Sequence, residues 1–360
     1  MVGTVRRSTT ARARGVSLLA CGALLALAAC GSSTGTPTPA STVTERADVV
    51  ADKGAVPTPE VEPVWPLTGV AGQPDPRPAI AVKIENTSAA RPQAGLDQAD
   101  VVWETIVEFE VSRFVAVFQS QVPGEVGPIR SVRPMDPLIV SPLGGMLVYS
   151  GGQPGILALA NAAGVQIVSH DAGAPGMYRS KERKAPHNVY GNPAEWWANA
   201  EAGRTAPGQQ FAFARSAEQA SAVTGGTPAG TLDLRLSGQS NPVWAWDAAS
   251  GTWLRSEGGT PATAASGARL SAVNVVSITA GHPNTEFGAQ GGAPVPTYDL
   301  VGSGDAVLAT GGKTLPVRWQ KDAQEQPMRL FLPDGSEATL APGNTWVELV
   351  PAGTGTLTVS

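Results

Sequence analysis

Residues 101–119 read VVWETIVEFEVSRFVAVFQ, and the reading of this stretch decides the fold class. Val101 to Glu108 and Arg113 to Gln119 are rich in β-branched and aromatic side chains, which suit a pleated, half-buried surface. Only Phe109 to Ser112 separate the two runs, so they form a hairpin. Upstream, Ala79 to Ile84 is a further short strand. Downstream, Pro134 to Leu143 gives a short helix, and Met146 to Tyr149 gives a strand closed by Ser150-Gly151-Gly152. Pro154 to Ala163 is helical and stops at Gly164, a residue free to adopt the left-handed conformation that ends helices; Val165 to Val168 returns as a strand. Asn192-Pro193-Ala194-Glu195 combines an N-cap residue with proline at the first helical position, and starts a helix expected to reach Gly203. Strands thus alternate with helices, which is mixed α/β character.

After Gly208 the pattern changes. Segments such as 241–246, 272–278, 314–319 and 346–350 are short and apolar, and Gly, Asp and Pro turns punctuate them. This is an all-β module, sandwich- or barrel-like. The expected class is α+β with two domains, a mixed α/β domain over 65–205 and an all-β domain over 206–360.

The first 64 residues are of another kind. Arg6, Arg7, Arg12 and Arg14 precede an uncharged apolar run from Val16 to Ala29, which ends in Leu27-Ala28-Ala29-Cys30. That run is too short to span a bilayer comfortably and fits the apolar core of a signal peptide. Residues 1–29 are therefore expected to be removed. Cys30 then becomes the new N-terminus, with diacylglycerol on its thiol, since Leu-Ala-Ala-Cys resembles the lipobox of bacterial lipoproteins. Residues 31–64, rich in Thr, Pro, Ser, Ala and Val, read as a disordered tether. The implied location is the outer, extracytoplasmic face of the cell membrane, held by lipid.

Removal of residues 1–29 leaves 21 basic against 30 acidic residues, a net charge of about −9. Such a chain, with no long Lys/Arg tract, is a poor partner for nucleic acid or anionic lipid. Cys30 would be the only remaining cysteine, so no intramolecular disulfide forms. With three histidines and that cysteine there is no zinc-ligand spacing, and no Walker loop, Gly-x-Ser-x-Gly elbow or Ser-x-x-Lys pair occurs. No metal site and no cofactor are expected.

Several runs together resemble one family, the YerB-like lipoproteins. They are 91–96 (RPQAGL), 99–102 (ADVV), 113–119 (RFVAVFQ), 127–134 (GPIRSVRP) and 184–190 (KAPHNVY), then 274–276 (NVV), 302–304 (GSG) and 342–348 (PGNTWVE). The likeness covers about 65–351 and departs at 259–264, where a more polar segment is usual. It implies a two-part, membrane-anchored architecture and supplies no reaction.

The residues that point to chemistry are mostly cationic. Arg130 and Arg133 flank Ser131 in a Gly/Pro-rich loop, and Arg91 and Arg113 stand at loop-to-strand borders. Guanidinium groups on a loop with free backbone N–H groups suit bidentate binding of phosphate or carboxylate. The alternative is that these arginines pair with Asp100, Glu104 or Glu108 and merely fix the loop. His187, beside Pro186 and Asn188, is either a general acid or base or a loop-holding hydrogen-bonder. The leading expectation is a non-catalytic lipoprotein binding an anionic envelope ligand, such as a wall-polymer fragment, or scaffolding an envelope protein. The candidate site is Arg91, Arg113, Arg130, Ser131, Arg133, His187 and Asn188. A rival expectation follows from element order, which is similar to that of LytR–CpsA–Psr phosphotransferases. That likeness implies transfer from a lipid-linked precursor, with Arg113, Arg130 and Arg133 facing pyrophosphate and Asp100 helping to hold a magnesium ion; Asp100 and Glu104 are the weak catalytic candidates. A third expectation is purely structural, two rigid modules presenting surface to another envelope protein.

Overall fold

A computed structural model describes residues 62–360. The processing segment, Cys30 and the tether up to residue 61 lie outside the described residues. The expected hairpin is present: β2 (Val101–Ile106) pairs antiparallel with β3 (Ser112–Phe118). β3 also pairs antiparallel with β1 (Ile80–Glu85). Beyond β1 run β4 (Met146–Tyr149) and β5 (Gln166–Ser169), both parallel, as strands joined by crossovers must be. Helices α1 (Asp136–Val140) and α2 (Pro154–Asn161) supply those crossovers. Gly164 takes φ +72° after α2, the left-handed stop its position suggested. A small ribbon, β6 (Met177–Arg179) with β7 (Val189–Gly191), precedes α3 (Pro193–Ala198). The Asn192 side chain caps α3 by accepting from the Ala194 N–H at 2.9 Å; the helix ends at Ala198, short of the expected Gly203.

The C-terminal part is nearly all β, the exception to the expected all-β module being one short α-helix, Ser221–Gly225, ahead of its main strands. Strands β8 (Thr231–Arg235), β9 (Pro242–Asp247) and β10 (Thr252–Glu257) form a meander. Then come β11 (Asn274–Ala280), the ribbon β12 (Asn284–Gly288) and β13 (Pro294–Pro296), β14 (Gly302–Thr310), β15 (Lys313–Lys321), β16 (Arg329–Phe331), β17 (Thr345–Pro351) and β18 (Thr356–Val359). Gly311 and Gly312 turn β14 into β15 with φ of +61° and +69°, a hairpin turn rather than a phosphate loop.

Half of these strands extend the N-terminal sheet. One eleven-stranded sheet runs β16-β15-β14-β11-β17-β2-β3-β1-β4-β5, with Thr227–Pro228 added on β15. The seam between the two parts is β2 alongside β17, parallel, in the register Val101↔Thr345 to Glu104↔Glu348. A six-stranded sheet built from β8, β9, β10, β18, Thr260–Pro261 and Ser271–Ala272 packs on its face. Trp244 of that sheet meets Trp346 of the large one edge to face, with ring centroids 5.1 Å apart. The all-β part is thus sandwich-like, and among the described residues no sheet closes into a barrel. The described residues form one compact unit, so the two parts share a core.

Candidate functional site

The tip of the β2–β3 hairpin organises the site. The Val107 N–H donates to the Val111 carbonyl at 2.9 Å, and Phe109 and Glu110 both take left-handed backbone, φ +61° and +59°. Two such residues in a row carry strain, because the Cβ crowds its own carbonyl. The turn points Phe109 outward, 55% exposed, while the Glu108 carboxylate folds inward. Just across the hairpin, Arg113 opens β3 and lies opposite Glu85 of β1.

The loop bearing Arg130, Ser131 and Arg133 is sewn to the ends of β1 and β4. The Arg130 N–H donates to the Lys83 carbonyl at 2.8 Å, the Ser150 N–H to the Arg130 carbonyl at 3.0 Å, and the Val132 N–H to the Gly151 carbonyl at 3.0 Å. His187 arrives on the turn before β7. Arg113, Arg130, Ser131, Arg133 and His187 therefore line one cleft of about 350 Å³, together with Glu85, Glu108 and Phe109.

Two carboxylates share the cations. Arg133 donates through Nε to Glu108 Oε2 at 2.6 Å, and its Nη2 reaches Oε1. Arg113 reaches the same Oε1 at 3.3 Å. Glu85 stands 2.9 Å from His187 Nδ1, and its Oε2 is 3.4 Å from Arg130 Nε. Burial alone would raise the Glu108 carboxyl; Arg133 and Arg113 instead hold it down at about 2. Burial, then the neighbouring Arg133, push Arg113 down to about 9. It stays charged at neutral pH, but its cation is short of counter-charge. Three guanidinium groups facing two carboxylates leave one unit of positive charge over. Behind the cleft, Lys83 and Asp136 form a closed pair at 2.7 Å, both fully buried. Burial outweighs Asp136 and brings Lys83 down to about 8.

Arg130 differs from its neighbours. Among the described residues its guanidinium makes no hydrogen bond, and its Nε is buried without a hydrogen-bond partner. Arg113 and Arg133, by contrast, also donate to the Ser131 carbonyl, at 3.0 and 3.3 Å. Ser131 thus contributes its backbone oxygen as an internal acceptor.

Other expected site residues lie elsewhere. Arg91 donates to Glu257 at 2.9 Å and to Asn86, outside this cleft. The Asn188 side chain is spent on Arg179 and the Ser180 carbonyl. Asp100 sits at the opposite end of the hairpin, where it accepts from the backbone of Gln119 and Ser120 and from the Ser120 hydroxyl. Burial raises its carboxyl. It therefore does not join the arginines, as the phosphotransferase likeness required. Glu104 is fully buried at 2.6 Å from Arg255. Among the described residues, no three His, Cys, Asp or Glu side chains gather where they would hold a metal, and no helix is long and apolar enough to cross a membrane.

Sequence reasoning missed Glu85, which faces Arg130 and His187, and it missed Arg255. The latter is completely buried and touches Glu104 (2.6 Å), Glu257 (3.0 Å) and Glu348 (2.8 Å). The available signal was a charge inside an apolar strand: Lys83 and Glu85 in IAVKIE, Glu104 in VVWETI, Arg255 in TWLRSE and Glu348 in TWVELVP.

The architecture and cleft define a two-part α+β protein whose halves are fused through one sheet. Residues 67–206 match the family described as "Protein of unknown function (DUF3048) N-terminal domain", and residues 232–347 match its "C-terminal domain". Over 141 residues the chain is 36% identical to "Putative lipoprotein YerB" of Bacillus subtilis (strain 168). That alignment takes in 38% of this chain and 43% of the relative, so less than half of the relative's length is spanned. A crystal structure of the YerB protein from Bacillus subtilis has the same fold, with a TM-score of 0.67 at 23% identity, covering 82% of this chain and 100% of that one. The chain belongs to this two-part, YerB-like DUF3048 family.

Proposed function

We propose that this chain is a lipoprotein anchored through Cys30 on the outer face of the membrane, where the Arg113/Arg130/Arg133/His187 cleft binds an anionic ligand without catalysis. The likeness to a lipoprotein and the Leu-Ala-Ala-Cys run support the anchor. One observation carries the binding: Arg130 lines the cleft with its buried Nε 3.4 Å from Glu85, and among the described residues its guanidinium makes no hydrogen bond. Guanidinium forks match phosphate and carboxylate geometry, and a partly buried cation strengthens such bonds. The ligand class therefore includes phosphorylated or carboxylated envelope material.

Titration calorimetry of the full chain with inorganic phosphate at low salt tests the binding. Saturable binding that weakens at least tenfold in Arg130→Ala is expected. No heat, or equal affinity in the variant, would refute the anion site. The anchor has its own test: Cys30→Ala should move the protein from the membrane fraction to the soluble one, and unchanged partitioning would refute lipid attachment.

A further inference from the structure

A second cleft, of about 500 Å³, adjoins the cationic one, and Glu108 and Phe109 belong to the walls of both. Its character is different. It carries Ser237, Asn284 and Thr354 as short polar groups, Pro294 and Pro296 as flat apolar ones, and a single charge of each sign in Glu110 and Arg235 besides the shared Glu108. Phe109 rises between the two spaces as an exposed ring on strained backbone. An exposed ring gains little from folding, and left-handed backbone opposes its placement, so the fold holds it there against both tendencies. The holding contacts come from the C-terminal part. The Ser237 hydroxyl donates to the Glu110 carbonyl at 2.6 Å, and Gly238 lets the Glu110 carboxylate approach where a Cβ would stand 2.5 Å from it. The β12–β13 ribbon also borders both clefts, through Gln290 on one side and Asn284 on the other.

Resting on the anion-binding reading above, we infer that the two clefts form one bipartite groove for a sugar phosphate, with the phosphate on Arg130 and the sugar ring against Phe109. The surplus positive charge lies on one side of Phe109 only, and this fixes which end enters which cleft. A hydroxyl-rich ring suits the second space: its C–H face packs on the aromatic ring, while hydroxyls reach Asn284, Thr354 and the Glu110 carboxylate. An alkyl chain would leave those polar groups without partners.

Three probes on the full chain test this by titration calorimetry: inorganic phosphate, N-acetylglucosamine 1-phosphate and hexyl phosphate. The sugar phosphate is expected to bind at least tenfold more tightly than phosphate, and hexyl phosphate no more than about threefold more tightly. Phe109→Ala and Phe109→Gly should both abolish the sugar phosphate's advantage over inorganic phosphate measured in the same variant, while Phe109→Tyr should keep that advantage. Glycine fits φ +61° without strain, so a loss common to both truncations reports the ring and not the backbone. Equal affinity for phosphate and sugar phosphate overturns the bipartite groove while leaving the anion site intact. A gain with hexyl phosphate matching that of the sugar overturns the ligand class. Absence of binding by all three probes overturns the anion site itself.

Discussion

The molecule holds two clusters built from the same two kinds of ion, one with surplus cations and the other with surplus carboxylates. At the hairpin tip three arginines share two carboxylates beside an open cleft. Under the seam of the large sheet one arginine, Arg255, is enclosed by three carboxylates, with Phe114, Trp244 and Trp346 ringed around its guanidinium at 4.9 to 5.4 Å. Register explains the second cluster: the parallel pairing of β2 with β17 sets Glu104 beside Glu348. Like charges in that relation repel. Burial, then Glu104, raise Glu348 well above its usual range, while Glu104 is lowered, burial notwithstanding, chiefly by Arg255. Of the two, Glu348 is the one whose protonated form burial and its acidic neighbour favour. Glu348 Oε2 has no hydrogen-bond partner among the described residues, which disfavours its ionised form. Surplus charge sealed from water is thus removed by protonation, whereas surplus charge beside an opening persists and attracts a counter-ion. That contrast separates a structural cluster from a binding one, although the residue types are the same.

The largest expected effect breaks the buried cluster. Arg255→Ala leaves Glu104 and Glu348 without their cation and Glu257 with Arg91 alone, and opens a cavity among aromatic rings. Stability should fall by about 3–5 kcal/mol, read from the urea midpoint. A loss below about 1 kcal/mol would mean that the acids simply take up protons and that Arg255 does not hold the two parts together.

Next in size is Glu108→Gln, which leaves Arg113 and Arg133 without their shared carboxylate and should cost about 2 kcal/mol. Its sign with pH follows from linkage. Glu108 is depressed to about 2 from 4.5, so its contribution is complete above pH 4.5 and is lost as pH falls toward 2. The variant's acid limb should be flatter over that window, and its phosphate affinity should rise because one competing anion has gone. Identical acid limbs in the two proteins would contradict the assignment.

Glu348→Gln is the smaller counterpart with the opposite sign. The folded state raises this carboxyl, so the wild type loses stability as pH rises above about 4.5. Glutamine mimics the protonated acid. Near pH 4 the two proteins should differ by less than about 1 kcal/mol, with the difference moving in the variant's favour as pH rises. A variant that weakens steadily with pH would place the proton elsewhere.

Much of this architecture was legible and its central join was not. The strands announced themselves through β-branched and aromatic runs, and Asn192-Pro193 and Gly164 marked helix ends, because those signals are local. The pairing of Val101 with Thr345 is set by packing of residues far apart in the chain and leaves no local trace. Two parts expected as separate modules therefore share one sheet. The site was partly legible for the same reason. Gly127 to Pro134 and His187 carried their chemistry in sequence, and Glu108 was correctly weighed as a partner of the arginines. Glu85 and Arg255 sit in strands whose apolar neighbours concealed them, and a charge at the end of one strand and inside the other was the clue. Arg91 and Asn188 were drawn to the site by motif proximity alone; their hydrogen bonds are used elsewhere.

The smallest expected effect is the sharpest for the comparison. Arg130→Ala removes a cation that makes no hydrogen bond and stands 3.4 Å from Glu85 with 22% of its side chain exposed. Glu85 is buried, but its contact with Arg130 is long and His187 stays 2.9 Å from it, so removal of the partly exposed guanidinium costs little. Without added anion the variant should therefore match wild type within about 0.5 kcal/mol. The difference should emerge only with ligand: at phosphate a hundredfold above its dissociation constant, wild type gains about 2.7 kcal/mol and the variant almost none. Arg255, the same residue type, should behave in the reverse manner, costly to remove and indifferent to phosphate. If Arg130→Ala alone lowers stability by more than about 1.5 kcal/mol in the absence of anion, its cation is a packing element like Arg255. The cleft at the hairpin tip would then have no surplus charge to offer a ligand.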